Sequence, residues 1–227
     1  MLLLAIDTAT PAVTAGVVSL DSSGALTLAE RTTVNPRAHG ELCMPHVRDA
    51  VADADVGLSD IDVIVCGNGP GPYTGLRAGM VTAAALGHAL GIAVYPVGSL
   101  DAIAAEVVVD ESFLVVTDAR RREVYWAEYE PPGSGRALLY KSALPEPGVA
   151  RPAEVRSECR FAAGHGAALY GETLDVSPIE PAYPSPRGIA LVASADVLAG
   201  VVPEPLTPVY LRQPHASEPG PRKRVST

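Results

Sequence analysis

The residues of this chain whose types and spacing best suit chemistry run from Cys66 to Met80, CGNGPGPYTGLRAGM. A glycine-rich turn that opens a helix leaves backbone N–H groups unshielded at the positive end of the helix dipole, a setting that favours a phosphate. Neither nucleotide fingerprint is complete. A P-loop would place lysine where Leu76 follows Gly75, and GxGxxG fails because Pro72 or Thr74 stands in place of the third glycine. With Pro70 and Pro72 set between the glycines the turn is stiff, and a structural role, bringing a helix close to a sheet, competes with ligand binding. The loop alone does not choose between them.

A second candidate is a pair of acids. Asp7 closes the apolar run that starts at Leu2, and Asp118 closes the run Phe113 to Thr117. A carboxylate at a strand end beside a turn of free N–H groups suits a hydrated magnesium ion carrying a nucleotide. The turns that follow, Thr8-Ala9-Thr10-Pro11 and Ala119-Arg120-Arg121-Arg122, contain no glycine to let a phosphate come close. Asp7, Thr8 and Asp118 are therefore expected to form at most a vestigial nucleotide site. The histidines, His39, His46, His88, His165 and His215, make no HxxxH or HExxH, so no metal site is expected. His39 lies four residues before Cys43 and seven before His46, which places all three near one helix face; a surface or interface role is expected for them. No GxSxG occurs, and nucleophilic catalysis is unsupported.

The elements that must carry these residues read as α/β. Leu2 to Ile6 and Val13 to Val18 form a strand, a tight turn and an antiparallel strand. His39 to Val51 has helical spacing, with Pro45 kinking it or marking its first turn. Val63 to Cys66 is a short buried strand, and Gly75 to Leu90 a helix rich in small residues. Phe113 to Thr117 and Glu123 to Tyr129 repeat the strand, aspartate, turn and strand of the N-terminus, with the two aspartates 111 residues apart. Two similar lobes are the expectation, and a coincidence of a common motif is the alternative. Phe161 to Gly166 reads as a strand ending in a glycine turn and Gly188 to Leu198 as a helix, while Pro131 to Gly148 reads as a loop or hairpin edge. The division expected is an N-terminal lobe over 1–105, a C-terminal lobe over 106–213 and a disordered tail over 214–227.

Charge and composition bound the rest. A net charge of −9 offers no general footprint for nucleic acid or an anionic membrane. Cys43, Cys66 and Cys159, an odd number without CxxC spacing, are expected as free thiols in a reducing compartment. The first residues carry no basic leader, and no apolar run is long enough to span a membrane. A cytoplasmic protein is expected.

Four segments in order, LLLAIDTATPAVTAGVV, CGNGPGPYTGLRAGM, DARRREVYWAEY and PVYLR, together resemble the TsaB (YeaZ) family of bacterial threonylcarbamoyladenosine biosynthesis proteins. The resemblance implies a degenerate, two-lobed actin-like and Hsp70-like ATPase fold. It implies a non-catalytic subunit that pairs with a TsaD-type transferase, which modifies the adenosine 3′ of the tRNA anticodon, with a TsaE-type ATPase joining them. It further implies that tRNA is met only through the complex, that a homodimer forms when the chain is alone, that the chain needs no cofactor of its own, and that a nucleotide at a subunit junction is allowed. The pairing surface carried over comprises His39, Leu42, Cys43, Pro45, His46 and Val47 on one helix and Tyr73, Thr74, Leu76, Arg77, Met80, Val81 and Ala84 on the next. Gly79, Ala83, Ala84 and Gly87 would let the helices of two chains approach, and Leu76→Glu or Met80→Glu is expected to block pairing while the chain stays folded. Tyr73 stands where many relatives carry Phe, which adds a hydroxyl. The competing reading is an independent ATP-dependent phosphotransferase or ATPase that uses Asp7 and Asp118.

Overall fold

The computed structural model describes residues 1–130, 141–142 and 147–212, with 141–142 described by backbone pairing alone. Strand β1 (Leu2–Asp7) pairs antiparallel with β2 (Ala12–Asp21), which pairs antiparallel with β3 (Gly24–Val34). On its other side β1 pairs parallel with β4 (Val63–Gly67), and β4 with β5 (Val94–Val97), giving the order β3-β2-β1-β4-β5. β1 and β4 are central and covered on both faces, which is why they read as unbroken apolar runs. Helices α1 (His39–Asp53) and α2 (Tyr73–Leu90) cover one face, meeting Leu4 and Ile6. Pro45 lies within α1 on its exposed side.

The second sheet repeats this plan. β6 (Phe113–Asp118) pairs antiparallel with β7 (Val124–Glu130), and β7 with the short β8 (Lys141–Ser142) and β9 (Gly148–Ala150). β10 (Phe161–Ala163) joins β6 in parallel, and β11 (Ser177–Pro178) joins β10. Each aspartate-bearing strand thus has an antiparallel hairpin on one side and parallel strands on the other. This duplication is the two-lobed actin-like fold.

Helices α3 (Ser99–Ala104), α4 (His165–Leu174) and α5 (Pro186–Leu198) complete the layers. Alternation along the central strands assigns their faces. Leu3 and Ala5 meet Ile189, Ala190, Ala193 and Val197 of α5; Phe113 and Val115 meet Leu100 and Ile103 of α3; Leu114 and Val116 meet Ala167 of α4. α3 from the first half packs on the second sheet, and α5 from the second half returns to the first, because each buries its apolar stripe on the nearest uncovered sheet face.

A second difference lies at Phe161 to Gly166. The strand ends at Ala163, Gly164 turns the chain at φ 88°, and Gly166 already belongs to α4. The three cysteines are free and buried. Among the described residues no helix is long and apolar enough to cross a membrane. Most of the segment Pro131 to Gly148 and the tail 214–227 lie outside the described residues.

Candidate functional site

The turn after β1 and the glycine-rich turn after β4 lie side by side, and their glycines contact the chain itself. A side chain at Gly67 would overlap the Asp7 carboxylate, and one at Gly71 would overlap the backbone of Ala9. The space a phosphate cradle would offer is filled by the chain's own atoms. Asp7 is fully buried. One carboxylate oxygen accepts the Ala9 N–H at 2.9 Å and the other the Ser99 hydroxyl at 2.5 Å. Burial pushes its pKa up to about 6, with the Ser99 and Ala9 hydrogen bonds pulling the other way. The Thr8 hydroxyl donates to the Gly75 carbonyl at 2.6 Å and accepts the Gly79 N–H at 2.9 Å, fastening α2 to the end of β1.

Asp118 stands across the cleft between the lobes and is likewise occupied. Its carboxylate accepts the Arg120 N–H at 3.1 Å and the Tyr170 hydroxyl at 3.3 Å, with the Arg120 guanidinium 3.7 Å away. The Asp118 N–H donates to His165 Nε2 at 3.2 Å. Burial lowers the pKa of His165 to about 4, so its ring is neutral at pH 7. A cavity of about 280 Å³ lies between the turns, lined by Thr8, Thr10, His39, Tyr73, Asp118 and Arg120 among others. Asp7 does not line it, so the two aspartates and Thr8 do not converge as one ligand set. No group of three or more His, Cys, Asp or Glu among the described residues has the geometry of a metal site. A larger, open groove of about 680 Å³ along α4 includes none of the residues singled out in the sequence.

The cleft is strapped by the segment that carries PVYLR. Val209 N–H donates to the Asn68 carbonyl at 2.8 Å and Asn68 Nδ2 to the Thr207 carbonyl at 3.0 Å. The Tyr73 ring packs on Tyr210 at 4.7 Å, its hydroxyl donates to the Arg212 carbonyl, and Arg77 Nε donates to the Tyr210 hydroxyl at 2.6 Å. Arg212 in turn donates to the Ala119 carbonyl at 3.1 Å and pairs with Glu123. The strap thus joins the start of α2 to the β6–β7 turn. The hydroxyl that distinguishes Tyr73 is the group that holds it.

The residues expected on the pairing surface divide. Cys43, Val47, Leu76 and Met80 are in the core of the first lobe. His39 and His46 are buried too, with Nε2 of His39 donating to the Thr10 carbonyl at 2.8 Å and Nε2 of His46 2.9 Å from the Thr33 hydroxyl. Leu76→Glu and Met80→Glu would place a carboxylate in that core, which corrects the expectation that such chains stay folded. Gly79 packs on Thr8, Gly87 on Val94, and Ala83 is buried, so close helix approach is spent within the chain. The exposed stripe of α2 is Thr74, Arg77, Val81, Ala84, Ala85 and His88, with Val81 67% exposed. Pro45 is exposed and Leu42 half-buried on α1. Ser99, Tyr170 and His165, which tie down the two aspartates, carry no motif that would have marked them.

Comparison with known proteins places this arrangement. The family model described as "TsaD: tRNA N6-adenosine threonylcarbamoyltransferase" matches residues 28–149. An uncharacterized protein of Mycobacterium tuberculosis H37Rv is 49% identical over 94% of this chain and 92% of its own length. Another, from Mycobacterium leprae, is 47% identical over 95% of this chain, which spans 56% of that longer protein. The Escherichia coli K12 tRNA threonylcarbamoyladenosine biosynthesis protein TsaB is 34% identical over 60% of this chain and 58% of its own length. The solved structure of YeaZ from Pseudomonas aeruginosa superposes with a TM-score of 0.75 at 28% identity, covering 92% of this chain and 99% of that one.

Proposed function

The chain belongs to the TsaB (YeaZ) family, and from that premise we propose that it acts in tRNA threonylcarbamoyladenosine biosynthesis as a non-catalytic subunit. Its role is to pair with a TsaD-type transferase, alongside a TsaE-type ATPase, in the cytoplasm. The observation that carries this reading is the exposed stripe of α2. Thr74, Arg77, Val81, Ala84 and Ala85 recur at helical spacing on a helix whose opposite face holds the core, and Val81 in the middle is a solvent-facing apolar side chain. Leu42 and Pro45 of α1 extend it, and α1 packs beside α2. Small side chains make the stripe flat, which suits a helix of another chain.

The sealed environment of Asp7 supports the same reading. An independent phosphotransferase needs a carboxylate that reaches a metal-bound nucleotide. Asp7 instead spends both oxygens on Ala9 and Ser99.

The test is co-purification of the chain with its TsaD-type partner. Val81→Glu leaves the fold and thermal stability unchanged, because the position is open to solvent, yet abolishes the complex. The same face supports pairing of two copies when the partner is absent, so the variant elutes as a monomer where the wild type elutes as a dimer. A Val81→Glu chain that still co-purifies in full amount would refute the assigned surface.

A further inference from the structure

The next inference rests on that family role and adds a surface for the RNA. The chain is acidic, with a net charge of −9, and against that background one cationic feature is built with unusual backbone. Arg120, Arg121 and Arg122, between β6 and β7, have φ values of 64°, 56° and 62°, all in the left-handed region. Non-glycine residues in this region are strained, and a turn that served only to reverse the chain would take Gly or Asn.

The surroundings hold this turn rigidly. Arg120 N–H donates to Asp118, Glu123 N–H to the Arg120 carbonyl at 3.1 Å, and Ala119 N–H to the Glu123 carbonyl at 2.9 Å. The Arg212 guanidinium donates to the carbonyls of Ala119 and Arg120, at 3.1 and 3.5 Å. The charges of Arg212 and Arg120 are met by Glu123 and Asp118. Arg121 and Arg122 are exposed, and neither makes an ion pair with a described residue. Only Arg120 lines the inter-lobe cavity. The guanidiniums of Arg121 and Arg122, which pair with no carboxylate among the described residues, stand outside it, which favours an extended polyanion over a nucleotide held in the cleft.

We propose that the Arg120–Arg122 turn is a contact for the phosphodiester oxygens of the tRNA on which the complex acts. Guanidinium forks match phosphate oxygens in bidentate fashion. A turn already fixed in place loses little entropy on binding. Such contacts position the RNA and do not read its sequence.

The experiment uses the complex of this chain with its TsaD-type partner and an unmodified tRNA transcript, with binding measured over a salt series. Arg121→Ala/Arg122→Ala leaves assembly intact, weakens tRNA binding about tenfold, and lowers the slope of log K against log salt by about one to two. Arg121→Lys/Arg122→Lys restores most of that slope, which a merely structural role would not do. Unchanged tRNA affinity and slope in an assembled complex overturn this inference alone. Loss of assembly, or loss confined to ATP binding, overturns it by making the turn a protein or nucleotide contact. Failure of the wild-type chain to assemble counts against the family role, and against this inference with it.

Discussion

Asp7 is the residue at which a nucleotide-handling chain and a scaffold diverge. Its carboxyl sits without solvent between the Ala9 N–H and the Ser99 hydroxyl, and burial raises its pKa to about 6. In the unfolded chain the same group titrates near 3.9. Between these values the folded state keeps a proton that the unfolded state has lost, so this contribution to stability falls as pH rises from about 4 to about 6 and stays lost above. A shift of about two units amounts to ~3 kcal/mol. Asp7→Asn has no such loss. Its stability relative to wild type therefore improves by about 2 kcal/mol between pH 4.5 and pH 7.5 in denaturant unfolding. His165, whose burial-lowered pKa near 4 takes stability away as pH falls from about 6.5, acts in both proteins and cancels in the difference. A pH-independent difference would show that Asp7 is not sealed. Asp7 itself was legible as a strand-end acid; its partner Ser99 was not, because the pair is 92 residues apart and no periodicity links them.

At the scale of elements, α2 shows what spacing reveals and what it leaves open. The helix was legible from its composition, and the stiff turn before it from Pro70 and Pro72. Which face turns inward was not, because Leu76, Met80 and Val81 are alike in chemistry and only the placement of β1 and α1 separates them. Leu76 lies in the core and is fully buried. Leu76→Glu is expected to cost at least ~4 kcal/mol and to leave the chain largely unfolded by circular dichroism. A folded Leu76→Glu chain that merely lost its partner would place Leu76 on the outer face instead. The strands β3 and β5 and the six-residue α3 escaped the sequence reading for related reasons: β3 is an exposed edge without a strong apolar face, and the others are too short to show a period.

At the scale of the molecule, the duplicated plan was foreshadowed by two strand-aspartate-turn-strand segments, since each marks the centre of a sheet. The crossing of α3 and α5 between the lobes was not, because an apolar helix stripe carries no label for the sheet it will cover. The strap of Tyr210 and Arg212, short and aperiodic, was visible only as part of a family resemblance. It ties the start of α2 to the arginine turn, so the surface proposed for a protein partner and the turn proposed for RNA are held in one frame.

The most direct measurement is threonylcarbamoylation of a tRNA transcript by the reconstituted TsaD- and TsaE-type proteins, with and without this chain. Modification that depends on wild-type chain, survives Asp7→Asn and is lost with Val81→Glu is the result predicted. Full modification without the chain, or robust ATP turnover by the chain alone that Asp7→Asn abolishes, would contradict the account.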